Sequence, residues 1–285
     1  MHITITGDLG SGKSTVCRLL KDTLGFNVES SGSIFRDIAM QKGLSVAELN
    51  AQINASLDTA HEVDDLIDNR TKELAKLETP VLIDSRMGWF FVPNSYKVFI
   101  TVDPVVAAKR IYNDAKRAGS EHYSSEAECL EKVLARRNSE KERFLKLYGV
   151  DYTDWSNYDL VIDSTEVSAE SIARAVSRAS YYAEKCLCIC PKRLYPTQVL
   201  RDINPDLVTE YRKTLEYLLK PIKVAKKDSK LFIIDGHHRA VAAILDSHGY
   251  VPAVLVESNP TVLTKSDYYD WEDYTGARFA MYPEG

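Results

Sequence analysis

Apolar and polar positions change period several times along the chain. Residues 2–6, His-Ile-Thr-Ile-Thr, alternate in the manner of a short strand rich in β-branched side chains. Val16, Leu19, Leu20 and Leu24 then recur at helical spacing, and Gly25 stands where a helix would stop. Helical spacing returns over 33–41, ended by Gly43, over 47–55, and over 59–77, where Val63, Leu66, Ile67 and Leu74 share a face. Residues 80–83 read as a buried strand ending at Asp84, and 96–102 as another, after which Asp103-Pro104 has the form of an N-cap and first helical residue. A charged helix is predicted over 124–148, a closing strand over 158–162 and an amphipathic helix over 168–184. Alternating strands and helices of this kind predict an α/β unit in three layers, a parallel sheet covered on both faces.

The rhythm changes near residue 185. Short strands are predicted at 186–189, 222–225, 231–234 and 251–256, around a helix at 206–219. The tail, 266–285, is rich in Tyr, Asp and Trp, too aromatic to read as a disordered segment. Two domains are therefore expected, 1–184 and 185–285.

Composition narrows the class. Hydrophobic residues make up 45% and charged residues 27%, the balance of a globular protein. The net charge of −5 supplies no footprint for non-specific nucleic-acid binding, so a nucleic-acid partner is not expected. The first residues lack the basic and apolar regions of a signal peptide, and no apolar run is long enough to span a bilayer, so a cytoplasmic location is expected. Five cysteines, an odd number in a chain this long, do not suggest a disulfide framework. Cys186, Cys188 and Cys190 alternate and would share a strand face; packing groups and metal ligands are both open readings, although the spacing fits no standard zinc pattern.

Chemistry enters at the first turn. Gly7, Asp8, Leu9, Gly10, Ser11, Gly12, Lys13 and Ser14, followed by Thr15, match G-x-x-x-x-G-K-[ST] at every fixed position, between a strand and a helix. That arrangement aims backbone N–H groups and a helix N-terminus at a polyphosphate. Lys13 would reach the terminal phosphates of ATP, and the Ser14 hydroxyl would ligate Mg²⁺. Asp84, at a strand end, is a second Mg²⁺ candidate, acting through water.

Arginines suited to phosphoryl transfer follow. Arg36 lies on the helix after the second strand region, and Arg86 stands just beyond Asp84, where ligands of open α/β sheets bind. Arg110, Arg136, Arg137 and Arg143 lie on later helices, and spacing does not choose between Arg136 and Arg137.

Taken together, Gly7–Thr15, Ser31-Gly-Ser-Ile-Phe-Arg36, Asp64-Asp-Leu-Ile-Asp68, Leu82-Ile-Asp-Ser-Arg86, Arg137-Asn-Ser-Glu-Lys-Glu-Arg143, Tyr148-Gly-Val-Asp151 and Tyr158-Asp-Leu-Val-Ile-Asp163 resemble the cytidylate kinase family, particularly its compact archaeal-type branch. The resemblance covers residues 1 to about 178. It implies a P-loop NTPase fold and ATP-dependent phosphorylation of a nucleoside monophosphate, with CMP or dCMP favoured. It also implies that Arg36, Asp68 and Arg86 serve the acceptor and that Lys13, Arg86, Arg137 and Arg143 are catalytic. Two departures stand out. Asp8-Leu9 replaces small residues or prolines, which puts a carboxylate near the phosphates, and 90–95 reads as an insertion.

A second polar cluster, Asp235, Gly236, His237, His238 and Arg239, follows an apolar strand and opens a helix. It reads either as an anion site, with histidine available as a general base, or as a capped turn. Together with Tyr195-Pro-Thr-Gln-Val199 and Lys220-Pro-Ile-Lys-Val224, this cluster resembles the ParB-like domain family, which includes sulfiredoxin and the free serine kinases. That resemblance implies a small α/β domain binding a second phosphorylated ligand. Gln198 stands near where the serine kinases carry a glutamate, and a glutamine takes no proton at neutral pH. Other readings are a nucleotide-sensing regulatory or DNA-associated protein, and a small-metabolite kinase whose chemistry sits in the second domain.

Overall fold

The computed structural model describes residues 1–114, 123–183, 185–198, 202–227 and 230–257, together with Tyr269 and Trp271. The chain divides into two compact units, Met1–Ser164 with Ser168–Lys185, and Thr165–Val167 with Cys186–Gly285.

In the first unit β1 (Ile3–Gly7), α1 (Lys13–Leu24) and β2 (Asn27–Ser30) are followed by α2 (Ser31–Gln41), α3 (Val46–Ala55) and α4 (Leu57–Leu74). Then come β3 (Val81–Asp84), α5 (Gly88–Phe91), β4 (Tyr96–Thr101), α6 (Pro104–Tyr112), α7 (Glu126–Tyr148), β5 (Leu160–Asp163) and α8 (Ala169–Tyr182). The strands lie in the order β2-β3-β1-β4-β5, and every pair is parallel. From β1 the chain moves out to β2, returns to β3 beside β1, and crosses to β4 on the other side. Such a reversal opens a crevice at the C-terminal ends of β1 and β3.

The Ile–Thr alternation of β1 does not mark a wet face, because all of β1 is buried. The Thr6 hydroxyl donates to the Ser85 carbonyl at 2.9 Å, and Thr4 shares a hydrogen bond of 3.0 Å with the Ser95 hydroxyl. A strand covered on both faces keeps its threonines by giving each hydroxyl a partner. Gly7 closes β1 against β4, where a Cβ would lie 2.4 Å from the Ile100 carbonyl oxygen. Asp103 caps α6, accepting from the N–H groups of Val105 and Val106, with Pro104 as first helical residue.

The apolar face expected over 59–77 divides. Val63 and Ile67 pack with Ile34, Ile38 and Leu49. Leu74 joins Val81, Ile83 and Val92. Leu66 is 40% exposed and belongs to neither. Residues 90–95, read as an insertion, contribute the end of α5 and the turn into β4, with Trp89 of α5 buried beside Tyr158.

The second unit contains β6 (Cys186–Ile189), β7 (Leu194–Tyr195), α9 (Pro205–Thr214), α10 (Glu216–Leu219), β8 (Ile222–Lys227), β9 (Lys230–Asp235), α11 (His237–Leu245) and β10 (Val251–Glu257). Its strands run β6-β10-β8-β9-β7, with β6–β10 and β8–β9 antiparallel and β10–β8 and β7–β9 parallel. The helix expected over 206–219 is broken at Leu215, which is left-handed with φ 54°. The break turns Tyr217 into the core, where its hydroxyl donates to Asp246 at 2.9 Å. The same carboxylate accepts from Arg212 at 2.6 Å, which ties α9 and α10 to the end of α11.

Candidate active site

Gly12 stands before α1 in a left-handed conformation, φ 78°, and no side chain caps the helix. The N–H groups at the head of α1 are thereby left to face the loop, as anion binding at a helix N-terminus requires. Residues 8–15 line a cavity of 400 Å³ together with Arg86, Arg110, Ile111 and Asp114. A second cavity of 610 Å³ is lined by Lys13, Ser14, Arg18, Lys21, Arg36, Asp84, Arg86, Arg136 and Glu140, among others. Lys13, Ser14 and Arg86 belong to both, so the two cavities adjoin at these side chains. In the second cavity six cationic side chains meet the carboxylates of Asp84 and Glu140 alone, an excess that suits a dianionic phosphate.

At this junction the Lys13 ammonium contacts the Asp84 carboxylate directly, and the Ser14 hydroxyl donates to the other Asp84 oxygen at 3.4 Å. Burial pushes the Lys13 pKa down to about 8, Arg86 adding to the fall. The Asp84 contact works the other way and favours the charged form. Arg86 donates through Nη1 to the Gly7 carbonyl at 2.6 Å and through Nε to Glu140 at 3.0 Å. Glu140 also accepts from Arg136 Nε at 3.1 Å and from the Tyr152 hydroxyl at 3.5 Å. Burial alone would raise the Glu140 pKa, but the two guanidiniums hold it below the usual carboxylate value.

Residues 2–166 match the cytidylate kinase-like family. The chain belongs to that family. It is 36% identical over 180 residues to the cytidylate kinase of Archaeoglobus fulgidus, an alignment covering 63% of this chain and 94% of that protein. Against the cytidylate kinase of Pyrococcus abyssi it is 36% identical over 178 residues, covering 62% and 92%. A solved shikimate kinase of Bacteroides thetaiotaomicron superposes with a TM-score of 0.44 at 16% identity, covering 62% of this chain and 97% of that one.

The two other arginines expected from the sequence to be catalytic, Arg137 and Arg143, lie apart along α7. Arg137 turns to Asp8 of the loop, Nε to Oδ1 at 3.4 Å. Arg143 does not reach the loop and is held by Asp64 of α4. Asp68, one turn further along α4, accepts from the Tyr148 hydroxyl at 2.8 Å, and burial raises its pKa. Asp8 does not present a loose carboxylate to the phosphates. Its Oδ2 accepts from the Thr101 hydroxyl at 2.8 Å and the Val102 N–H at 3.3 Å, at the end of β4.

Arg18 and Lys21 were not singled out from the sequence, although the signal was there. Ser14, Arg18 and Lys21 are spaced by four and three, which places them on one face of the loop helix. Arg110 lies at the rim of the first cavity, donating from Nη2 to the Ser164 carbonyl at 2.7 Å and from Nη1 to the Gly10 carbonyl of the loop at 3.5 Å.

In the second unit Asp235 to Arg239 line a cavity of 620 Å³ with Thr197, Gln198, Asp202, Tyr211 and Ile234. Gly236, φ 104°, leads into α11, which has no side-chain cap. His237 is buried, its Nε2 accepts the N–H groups of Thr197 at 3.1 Å and Gln198 at 3.2 Å, and burial lowers its pKa to about 4. His238 Nε2 accepts from the Asn204 N–H at 2.9 Å, and burial lowers its pKa as well. Each histidine has its basic nitrogen committed to the backbone, so the general-base reading of this turn is set aside. Arg239 lies 3.6 Å from Asp235 and keeps a buried Nε without a hydrogen bond.

Proposed function

We propose that residues 1–184 transfer the γ-phosphoryl group of ATP to the phosphate of CMP or dCMP. The chain is a P-loop phosphotransferase of the nucleoside monophosphate kinase class. The observation that carries the substrate reading is the pair of adjoining cavities meeting at Lys13, Ser14 and Arg86. The smaller would take the ATP phosphates on the Gly7–Thr15 loop, and the larger would take the acceptor phosphate between Arg36 and Arg86. Phosphoryl transfer asks mainly for positioning and charge, and cations at the junction of donor and acceptor answer that requirement. Arg137 would contact the group in flight. Arg143 and Asp68, held by Asp64 and Tyr148, would set α7 over α4 on the acceptor side.

The donor set suits Mg²⁺, since a hydroxyl and a carboxylate oxygen 3.4 Å apart are hard ligands that water and phosphate would complete. Mg²⁺ held by one or two protein oxygens completes its shell with substrate phosphates and water, so the metal would be shared with the nucleotide. When bound, Mg²⁺ supplies charge neutralisation at the β- and γ-phosphates. Steady-state assays with ATP, Mg²⁺ and CMP, dCMP, UMP or AMP test the reading. Turnover should be highest with CMP or dCMP and fall by orders of magnitude in Lys13→Ala. A Lys13→Ala enzyme with normal turnover, or a preference for AMP, would overturn it.

For residues 185–285 we propose a ParB-like domain that binds a second phosphorylated ligand in the 620 Å³ cavity. Its support is the uncapped α11 beside the Arg239 guanidinium. With both histidines committed, binding or regulation is favoured over a metabolite kinase. In the full chain carrying Lys13→Ala, a nucleotide or phosphorylated metabolite should still raise the melting temperature, and Arg239→Ala should remove the rise. Phosphate transfer to free serine by the Lys13→Ala chain would instead favour the metabolite-kinase reading. Among the described residues no helix is long and apolar enough to cross a membrane.

A further inference from the structure

Asp8 is not required by the phosphate-loop pattern, which leaves its position open, yet its carboxylate is among the best-fixed groups of the site. Its backbone N–H donates to the Ile100 carbonyl at 2.9 Å. Its Oδ2 is held by Thr101 and Val102, and its side chain is only 7% exposed. A buried carboxylate with one oxygen so committed offers the other as a fixed negative point. That oxygen, Oδ1, makes no aligned hydrogen bond, and its ion-pair partner is Arg137 Nε at 3.4 Å. The neighbouring arginines are engaged at the same atom, there through hydrogen bonds, because Glu140 accepts from the Nε of both Arg86 and Arg136. For Arg137 a contact at Nε fixes the inner edge of the guanidinium and points its terminal nitrogens to a bidentate grip on phosphate.

We infer that Asp8 is a positioning residue for phosphoryl transfer. It anchors Arg137 of α7 to the end of β4, so that the terminal nitrogens meet the transferred phosphoryl group. The inference rests on the assignment of Arg137 to that group. An ion pair between loop and helix would stabilise the complex most when the phosphoryl group lies between donor and acceptor, so the loss of Asp8 belongs in kcat. A carboxylate acting directly on the nucleotide would repel it, and its loss would lower the KM for ATP.

A double-mutant cycle on the full chain, with ATP, Mg²⁺ and CMP, tests this. Asp8→Asn keeps an amide oxygen for Thr101 and Val102 and removes the charge that faces Arg137. We expect Asp8→Asn to lower kcat about tenfold with the KM for ATP within about twofold, and Arg137→Ala to lower kcat about a hundredfold. The double variant should be no slower than Arg137→Ala alone, the mark of two residues acting as one unit. An unchanged melting temperature in Asp8→Asn separates positioning from folding. Multiplicative losses, or a fall in the KM for ATP in both Arg137 backgrounds, would overturn the positioning role and leave the Arg137 assignment standing. Normal turnover in Arg137→Ala would overturn that assignment, and the inference with it.

Discussion

Glu140, midway along α7, accepts the Nε proton of Arg86 at 3.0 Å, which joins a helix to the strand-end arginine 54 residues earlier in the chain. Because the same carboxylate takes Arg136, one side chain orients two of the cations of the larger cavity. Glu140→Gln keeps a hydrogen-bond acceptor and loses the charge. The KM for CMP should rise about tenfold, with the KM for ATP changed less than threefold, since charge-assisted hydrogen bonds are roughly twice as strong as neutral ones. Initial-rate kinetics varying each substrate in turn would check this, and an equal rise in both constants would count against it.

Lys13 predicts a pH dependence. Its pKa is lowered to about 8, so the free enzyme carries the ammonium below that pH and loses it above. A polyphosphate bound against Lys13 favours the charged form and moves the titration upward. The kcat/KM for ATP should therefore fall on the alkaline side of pH 8 by about tenfold per unit, while kcat holds level further up. A kcat/KM profile flat to pH 10 would show that Lys13 stays charged in the free enzyme.

Gly7→Ala would press a methyl group against the Ile100 carbonyl oxygen at 2.4 Å, with backbone on both sides of the contact. Neither strand can yield as a flexible side chain would. The expected loss is at the upper end of overpacking costs, about 3 kcal/mol, read as a fall in denaturation midpoint. A midpoint unchanged from the parent would mean that β1 and β4 separate at little cost.

His237 links the second unit to pH. Its pKa is lowered from 6.5 to about 4, so between those values the unfolded chain binds a proton that the folded chain refuses. Stability then falls as pH drops from 6.5 to 4, by roughly 3 kcal/mol in total. His237→Gln keeps an acceptor for Thr197 and Gln198 and does not titrate, so it should flatten that fall. Hydrogen exchange in α11 and β9 of the full chain, followed across this range, would measure it; parallel pH dependence in both proteins would assign the effect to other groups.

Much of the first unit was legible because its signals are local. The loop motif, the Asp103-Pro104 start of α6 and the Gly25 stop of α1 each occupy a few consecutive residues. What escaped depends on contacts that only the topology creates. Asp8 meets Thr101 across 93 positions because β1 and β4 are neighbours, and nothing near residue 8 announces it. Glu140 reads as one more charge on a solvated helix until Arg86 is beside it. Arg143, grouped with the phosphate arginines by its motif, is drawn to Asp64, a pairing decided by where α4 lies against α7. The break at Leu215 follows the same logic, since helical spacing runs through it and only the burial of Tyr217 against Asp246 requires the turn.

The contact between Lys13 and Asp84 would set an order of arrival. Each neutralises the other at the junction of the two cavities, and Asp84 is 9% exposed. An incoming polyphosphate that drew Lys13 away on its own would leave a buried carboxylate facing another anion, one repulsion exchanged for one attraction. A polyphosphate already carrying its divalent ion supplies a replacement cation in the same movement. The loop would on this account favour metal-complexed nucleotide over the bare form, a discrimination made before any substrate chemistry begins.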